Sequence, residues 1–104
     1  MNSIPAYIDR NEAIRRIRTG LRARSGRNWS VRGGRGTAWG WIHIRAKAGV
    51  SMTPEECQEL SRLLGGERVY DGGVSVPSSG AHYREYVERA EGRPVTKIAE
   101  DYWD

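Results

Sequence analysis

Ile14, Ile17 and Leu21 recur at i, i+3 and i+7, the stripe by which one face of a helix meets a core. Arg15, Arg18 and Arg22 keep step on another side of the same turns, so the pattern predicts a helix over residues 10–23, despite Gly20, with a basic flank in solvent. Asp9 is placed as its N-cap, with Glu12 reaching back in a capping box and Ile8 and Ala13 as a weak staple. Ser25-Gly26 ends it. The period then changes from helical to two. Residues 28–32 alternate as a short strand with Trp29 and Val31 on one face. Gly33-Gly34-Arg35-Gly36 supplies the turn, since glycine takes positive φ at little cost. Residues 38–47 form a second strand. Gly40, Ile42, Ile44 and Ala46 share its core face, and Trp39, Trp41, His43 and Arg45 share the other. A bulge at Gly40 is the alternative that would part the two tryptophans.

Thr53-Pro54-Glu55-Glu56 is the clearest helix start in the chain: an N-cap, proline at the first position, glutamate at the third. Cys57, Leu60, Leu63 and Leu64 make the buried side of that helix, and Gly65-Gly66 stops it. Residues 67–70 and 73–76 read as two short strands around Asp71-Gly72, or as one bent strand. A third helix covers 80–91, with Ser78-Ser79 at its start, Tyr83, Tyr86, Val87 and Ala90 inward, and Gly92 and Pro94 closing it. Residues 95–104 form an acidic tail holding Tyr102 and Trp103, expected to pack back on the domain. The order α-β-β-α-β(β)-α predicts an α+β fold, one domain over residues 1–104, with three helices covering one face of a small antiparallel sheet.

Charge changes this picture more than composition does. The 104 residues carry +4 overall, but residues 1–50 carry +9 and residues 51–104 carry −5. Ten of the eleven cations in the first half are arginines, which pair bidentately with phosphate and stack on flat rings. One-sided charge of this kind fits a polyanion or an acidic protein surface. Docking of the basic half on the acidic half, within one molecule or in a homodimer, is the competing explanation. No apolar run nears the ~20 residues of a membrane span. The N-terminal stretch lacks a signal-peptide pattern, and the single cysteine, Cys57, can form no internal disulfide; a cytoplasmic setting is expected.

Three features carry candidate chemistry. The glycine-arginine loop over 33–36 has the glycines that let backbone N–H groups approach a phosphate, although it lacks the Lys-Ser/Thr of a Walker loop and leads into a strand. A hairpin turn accounts for the same residues. The row Trp39, Trp41, His43, Arg45 would make a platform for unpaired bases, each stacked base contributing ~1–3 kcal/mol. Burial of at least one of the two indoles is the plainer expectation. The arginines of the first helix match a phosphate-contacting stripe, or a solvated face. Catalysis and metal binding find no support. Cys57 sits on an apolar helix side, His43 and His82 lie in different elements, and no nucleophile–base pair is visible. No cofactor is expected.

Trp29-Ser-Val31 with the string Gly34 to Ile42 (GRGTAWGWI), and Gly73 to Pro77 (GVSVP) with Tyr83 to Gly92 (YREYVERAEG), resemble a family of small uncharacterised bacterial proteins. The first block is also similar to a domain of the polyvalent proteins of phages and mobile elements. The two blocks, from Trp29 to Ile42 and from Gly73 to Gly92, span about a third of the chain. The resemblance brings no activity. It implies a bacterial cytoplasm and a phage or plasmid accessory protein, a class that acts on nucleic acids or on host defence.

The sequence therefore leads to a non-enzymatic nucleic-acid-binding domain. Arg15, Arg18, Arg22, Arg32, Arg35 and Arg45 would contact phosphates of RNA or DNA, and Trp39 or Trp41 would stack a base. A protein-interaction module that inhibits a host nuclease or defence complex (an anti-CRISPR-like role) is the alternative. A small nucleotide binder or sponge is a third.

Overall fold

The computed structural model describes residues 8–36, 40–47, 51–66, 68–69, 72–76 and 80–95, with the backbone alone at 80–82. Among the described residues six elements follow one another: α1 (Arg10–Ser25), β1 (Trp29–Gly33), β2 (Ile42–Ala46), α2 (Pro54–Leu63), β3 (Val74–Val76) and α3 (Gly80–Glu91). The fold is α+β. The three strands form one antiparallel sheet in the order β1-β2-β3. Among the described residues, no helix is long and apolar enough to cross a membrane.

Each element starts and stops for a local reason. Asp9 caps α1 by accepting hydrogen bonds from the backbone N–H groups of Asn11 and Glu12. The Glu12 carboxylate, expected to reach back to the cap, pairs instead with Arg15 one turn on. Gly26, at φ 80°, ends the helix at the expected Ser25-Gly26 signal, so that α1 runs to Ser25 rather than to residue 23, and donates to the Arg22 carbonyl. The Thr53 capping box of α2 is complete, with Thr53 Oγ1 taking the Glu56 N–H and the Glu56 carboxylate taking the Thr53 N–H.

The core lies between the inner face of the sheet and the helices. Trp29 and Val31 of β1, Ile42, Ile44 and Ala46 of β2, and Val74 and Val76 of β3 point into it. Ile17 and Leu21 of α1, Leu60 and Leu63 of α2, and Tyr83, Tyr86, Val87 and Ala90 of α3 meet them. Ile14 and Cys57, read as core residues, are half-buried and pack at its margin. The second strand is shorter than its sequence pattern. Regular pairing begins at Ile42, because Gly40 lies in a turn. Arg68 and Val69 are not in a strand, so the third strand is the single segment β3; Glu67 and Tyr70 lie outside the described residues. The tail beyond Val95 and the segment at Ser78-Ser79 also lie outside them.

Gly20, a poor residue for a helix interior, has a packing reason. A Cβ there would sit 2.9 Å from the Ala90 carbonyl oxygen and 3.0 Å from Glu91 Cγ, so α1 and α3 cross with backbones close at this point. Gly20→Val is expected to overpack the crossing and to destabilise the fold by about 1–3 kcal/mol, read as a lower urea midpoint at unchanged m-value.

Candidate functional site

With the helices on one side, the other face of the sheet carries the alternate residues of each strand. The register sets Ser30 opposite Arg45, Arg32 opposite His43, and His43 opposite Ser75. His43 Nδ1 and Ser75 Oγ are hydrogen-bonded at 2.8 Å. Trp41 comes one residue before β2 and continues the outward parity. It is 40% exposed, the most exposed large apolar side chain among the described residues. A shallow cleft of about 320 Å³ opens on this face, lined by Ser30, Arg32, Gly33, Gly34, Arg35, His43 and Arg45. No acidic side chain is among these residues.

The hairpin that carries the cleft is held from behind. Gly34 N–H donates to the Trp41 carbonyl at 2.8 Å, which closes the loop. Arg10, from the first turn of α1, donates from Nη1 to the Gly34 carbonyl at 2.9 Å. Tyr83 of α3 donates its hydroxyl to the Gly40 carbonyl at 2.5 Å. The loop glycines thus divide their roles in a way the turn reading did not foresee. Among the described ones only Gly36 has positive φ, at 58°. Gly33 is the last residue of β1, and a Cβ there would overlap the Arg10 guanidinium. Gly33 makes room for the arginine that fixes the loop.

The arginines separate into those that build the fold and those that remain available. Arg16 forms a two-pronged ion pair with Glu91 at 3.0 and 3.1 Å, joining α1 to α3. Arg24 Nη1 donates to the carbonyls of Leu63 and Arg89, tying the ends of all three helices. Arg27 pairs with Glu56 and Glu59 of α2, and its guanidinium lies 5.5 Å from the Trp29 ring centroid. Part of the basic half does dock on the acidic half of the same molecule.

Of the eight residues expected at the site, Arg32, Arg45 and Trp41 come together on the outer face with Arg35 at its loop end. Arg18 Nη2 donates to the Val31 carbonyl at 2.8 Å, so it anchors the helix flank to the edge of β1 and is only partly available. Arg15 is exposed but paired with Glu12. Its hydrogen bond holds the Glu12 carboxyl below the usual carboxylate range, and the same bond raises Arg15 above its own ordinary value. Arg22, Arg32 and Arg35 are exposed and make no side-chain hydrogen bond or ion pair among the described residues. Trp39 and the His82 side chain lie outside the described residues. Ser30 and Ser75 join the face unannounced, although the two-residue period of their strands already placed them there. Arg10 and Tyr83 had no such signal, because their partners are backbone carbonyls far along the chain.

Comparison with protein-family models, curated proteins and solved structures finds no match for this chain.

Proposed function

We propose that the protein binds nucleic acid without catalysis, through the outer face of its sheet and the adjoining flank of α1. The observation that carries this reading is the outer-face cleft, which holds Arg32, Arg35 and Arg45 with no carboxylate among its described lining residues, on the same sheet face as the exposed Trp41. Elsewhere most of the described acids face arginines: Glu12 faces Arg15, Glu56 and Glu59 face Arg27, Glu85 faces Arg89, Glu88 faces Arg84, and Glu91 faces Arg16 and Arg93, while Asp9 caps α1. Their pairing leaves Arg32 and Arg35 as cations without a partner among the described residues, on the sheet face away from the described helices. The Arg32 and Arg35 guanidinium groups offer forked donors to phosphate oxygens. Trp41 offers a ring face to a base, and Arg22 extends the positive surface along the helix.

The test is anisotropy of a labelled oligonucleotide titrated with the protein between 50 and 200 mM salt. Neutralisation of three to five phosphates of a single strand gives a log–log slope of about −2 to −3.5. A flat response overturns the proposal. So does an absence of binding to RNA and DNA combined with capture of one acidic protein partner, the outcome that would make this face a protein interface.

A further inference from the structure

Resting on that reading, we infer that the ligand is a single strand, and that one nucleotide unit sets its phosphate in the outer-face cleft between Arg32 and Arg35 and reaches out of the cleft to lay its base on the exposed Trp41.

The shape of the surface favours this ligand over a duplex. Duplex readers insert a protruding helix or ribbon into a groove about 12 Å wide. Here the basic residues line a depression of about 320 Å³, at the small end of the ligand-pocket range and suited to one nucleotide. Bases in a duplex are already stacked on one another, so they leave Trp41 nothing to stack on. An unpaired base has a free π-face.

The spacing agrees. Arg32 stands opposite His43 across one strand interval of about 4.8 Å, and Trp41 lies two residues back along the same face, about 7 Å. That offset is of the order of the separation between a phosphate and the base of its own nucleotide. Arg10 holds the Gly34 carbonyl and Tyr83 that of Gly40, so the described ends of the hairpin that carry Arg32 and Trp41 are preorganised.

The edge of β1 tells against the rival occupant, an added peptide strand. β-Augmentation needs free backbone groups along a sheet edge. Arg18 already takes the carbonyl of Val31, at the middle of β1. The side chain that blocks a peptide also sets the basic flank of α1 beside β1. A single strand leaving the cleft over β1 would meet Arg18 and then Arg22, about 6 Å further along the helix axis.

The experiment compares a labelled 12-nucleotide single-stranded RNA, the DNA of the same sequence, the corresponding blunt duplexes and a mononucleotide, with the wild-type chain, Trp41→Ala and Trp41→Phe at one salt concentration. Circular dichroism melts check that the variants fold. Single strands are expected to bind at least about tenfold tighter than duplexes. Trp41→Ala is expected to lower single-strand affinity by about five- to a hundredfold while leaving duplex binding unchanged, and Trp41→Phe to retain most of it. A preference between the RNA and DNA strands supports the inference and identifies the sugar. Equal binding of duplex and single strand, with Trp41→Ala silent, overturns this inference and leaves the nucleic-acid reading standing. A mononucleotide that binds as tightly as the 12-mer overturns the strand path in favour of a nucleotide site. No binding by any probe overturns both.

Discussion

Arg32→Glu combined with Arg35→Glu is expected to lower affinity for a single-stranded oligonucleotide by about a hundredfold or more at 50 mM salt and to leave stability almost unchanged. Both side chains are exposed and neither bonds to another described group, so the fold loses no anchor. Surface substitutions of this kind usually stay within about ±0.5 kcal/mol in stability. Binding loses two phosphate contacts and gains two repulsive charges in the same cleft, so the effect is larger than that of neutral replacement. The salt slope should fall by about 1.4, the share of two phosphates on a single strand. Anisotropy titrations at several salt concentrations, paired with urea melts, separate the two effects. Unchanged affinity and slope would remove the cleft from the proposed function. As a contrast, Arg24→Ala leaves the cleft intact but frees two helix-end carbonyls, so its expected effect is on stability alone.

That contrast shows where sequence reading reaches its limit. Arg18, Arg22, Arg24 and Arg32 are alike in composition, and spacing puts the first two on one helix flank. Which of them is consumed by the fold depends on carbonyls supplied by residues 13 to 65 positions away. Local pattern cannot see those partners. The alternation in β1 and β2 was legible because a one-sided sheet imposes a strict period of two on what is buried. Trp29, Val31, Ile42 and Ile44 therefore fell on the correct face, and so did Trp41, His43 and Arg45. Capping chemistry was legible at Thr53 because the box is written in four consecutive residues. The glycines were the least legible. Gly33 and Gly36 look identical in sequence, yet one clears space for Arg10 and the other bends the chain. Gly20, which counts against a helix by propensity, is present because another helix crosses there.

Gly73 gives the largest expected effect on the fold. Its φ is 99°, a conformation that residues with a Cβ rarely adopt. A Cβ at this position would also collide with the Ile44 carbonyl and crowd the Arg45 Cα and Cβ atoms. Neither obstacle can swing aside. Ile44 is the centre of β2, fully buried and paired with strands on both sides. Gly73→Ala is therefore expected to cost about 3–5 kcal/mol, combining backbone strain with steric overlap. Against a typical stability of about 5–15 kcal/mol, that is enough to unfold much of the population on modest warming. Gly36→Ala is the matched control. Its φ is also positive, but no atom lies within 4 Å of the added Cβ, so only about 1–2 kcal/mol of local strain is expected. Urea denaturation of the pair measures the difference, and equal midpoints would contradict the close approach of β3 to β2. The consequence reaches the site as well. Gly73 leads into the strand that sets Ser75 against His43, and its obstacles include Arg45. A residual folded fraction of Gly73→Ala should bind single strands more weakly than Gly36→Ala, because the outer face keeps its shape only while β3 can lie this close to β2.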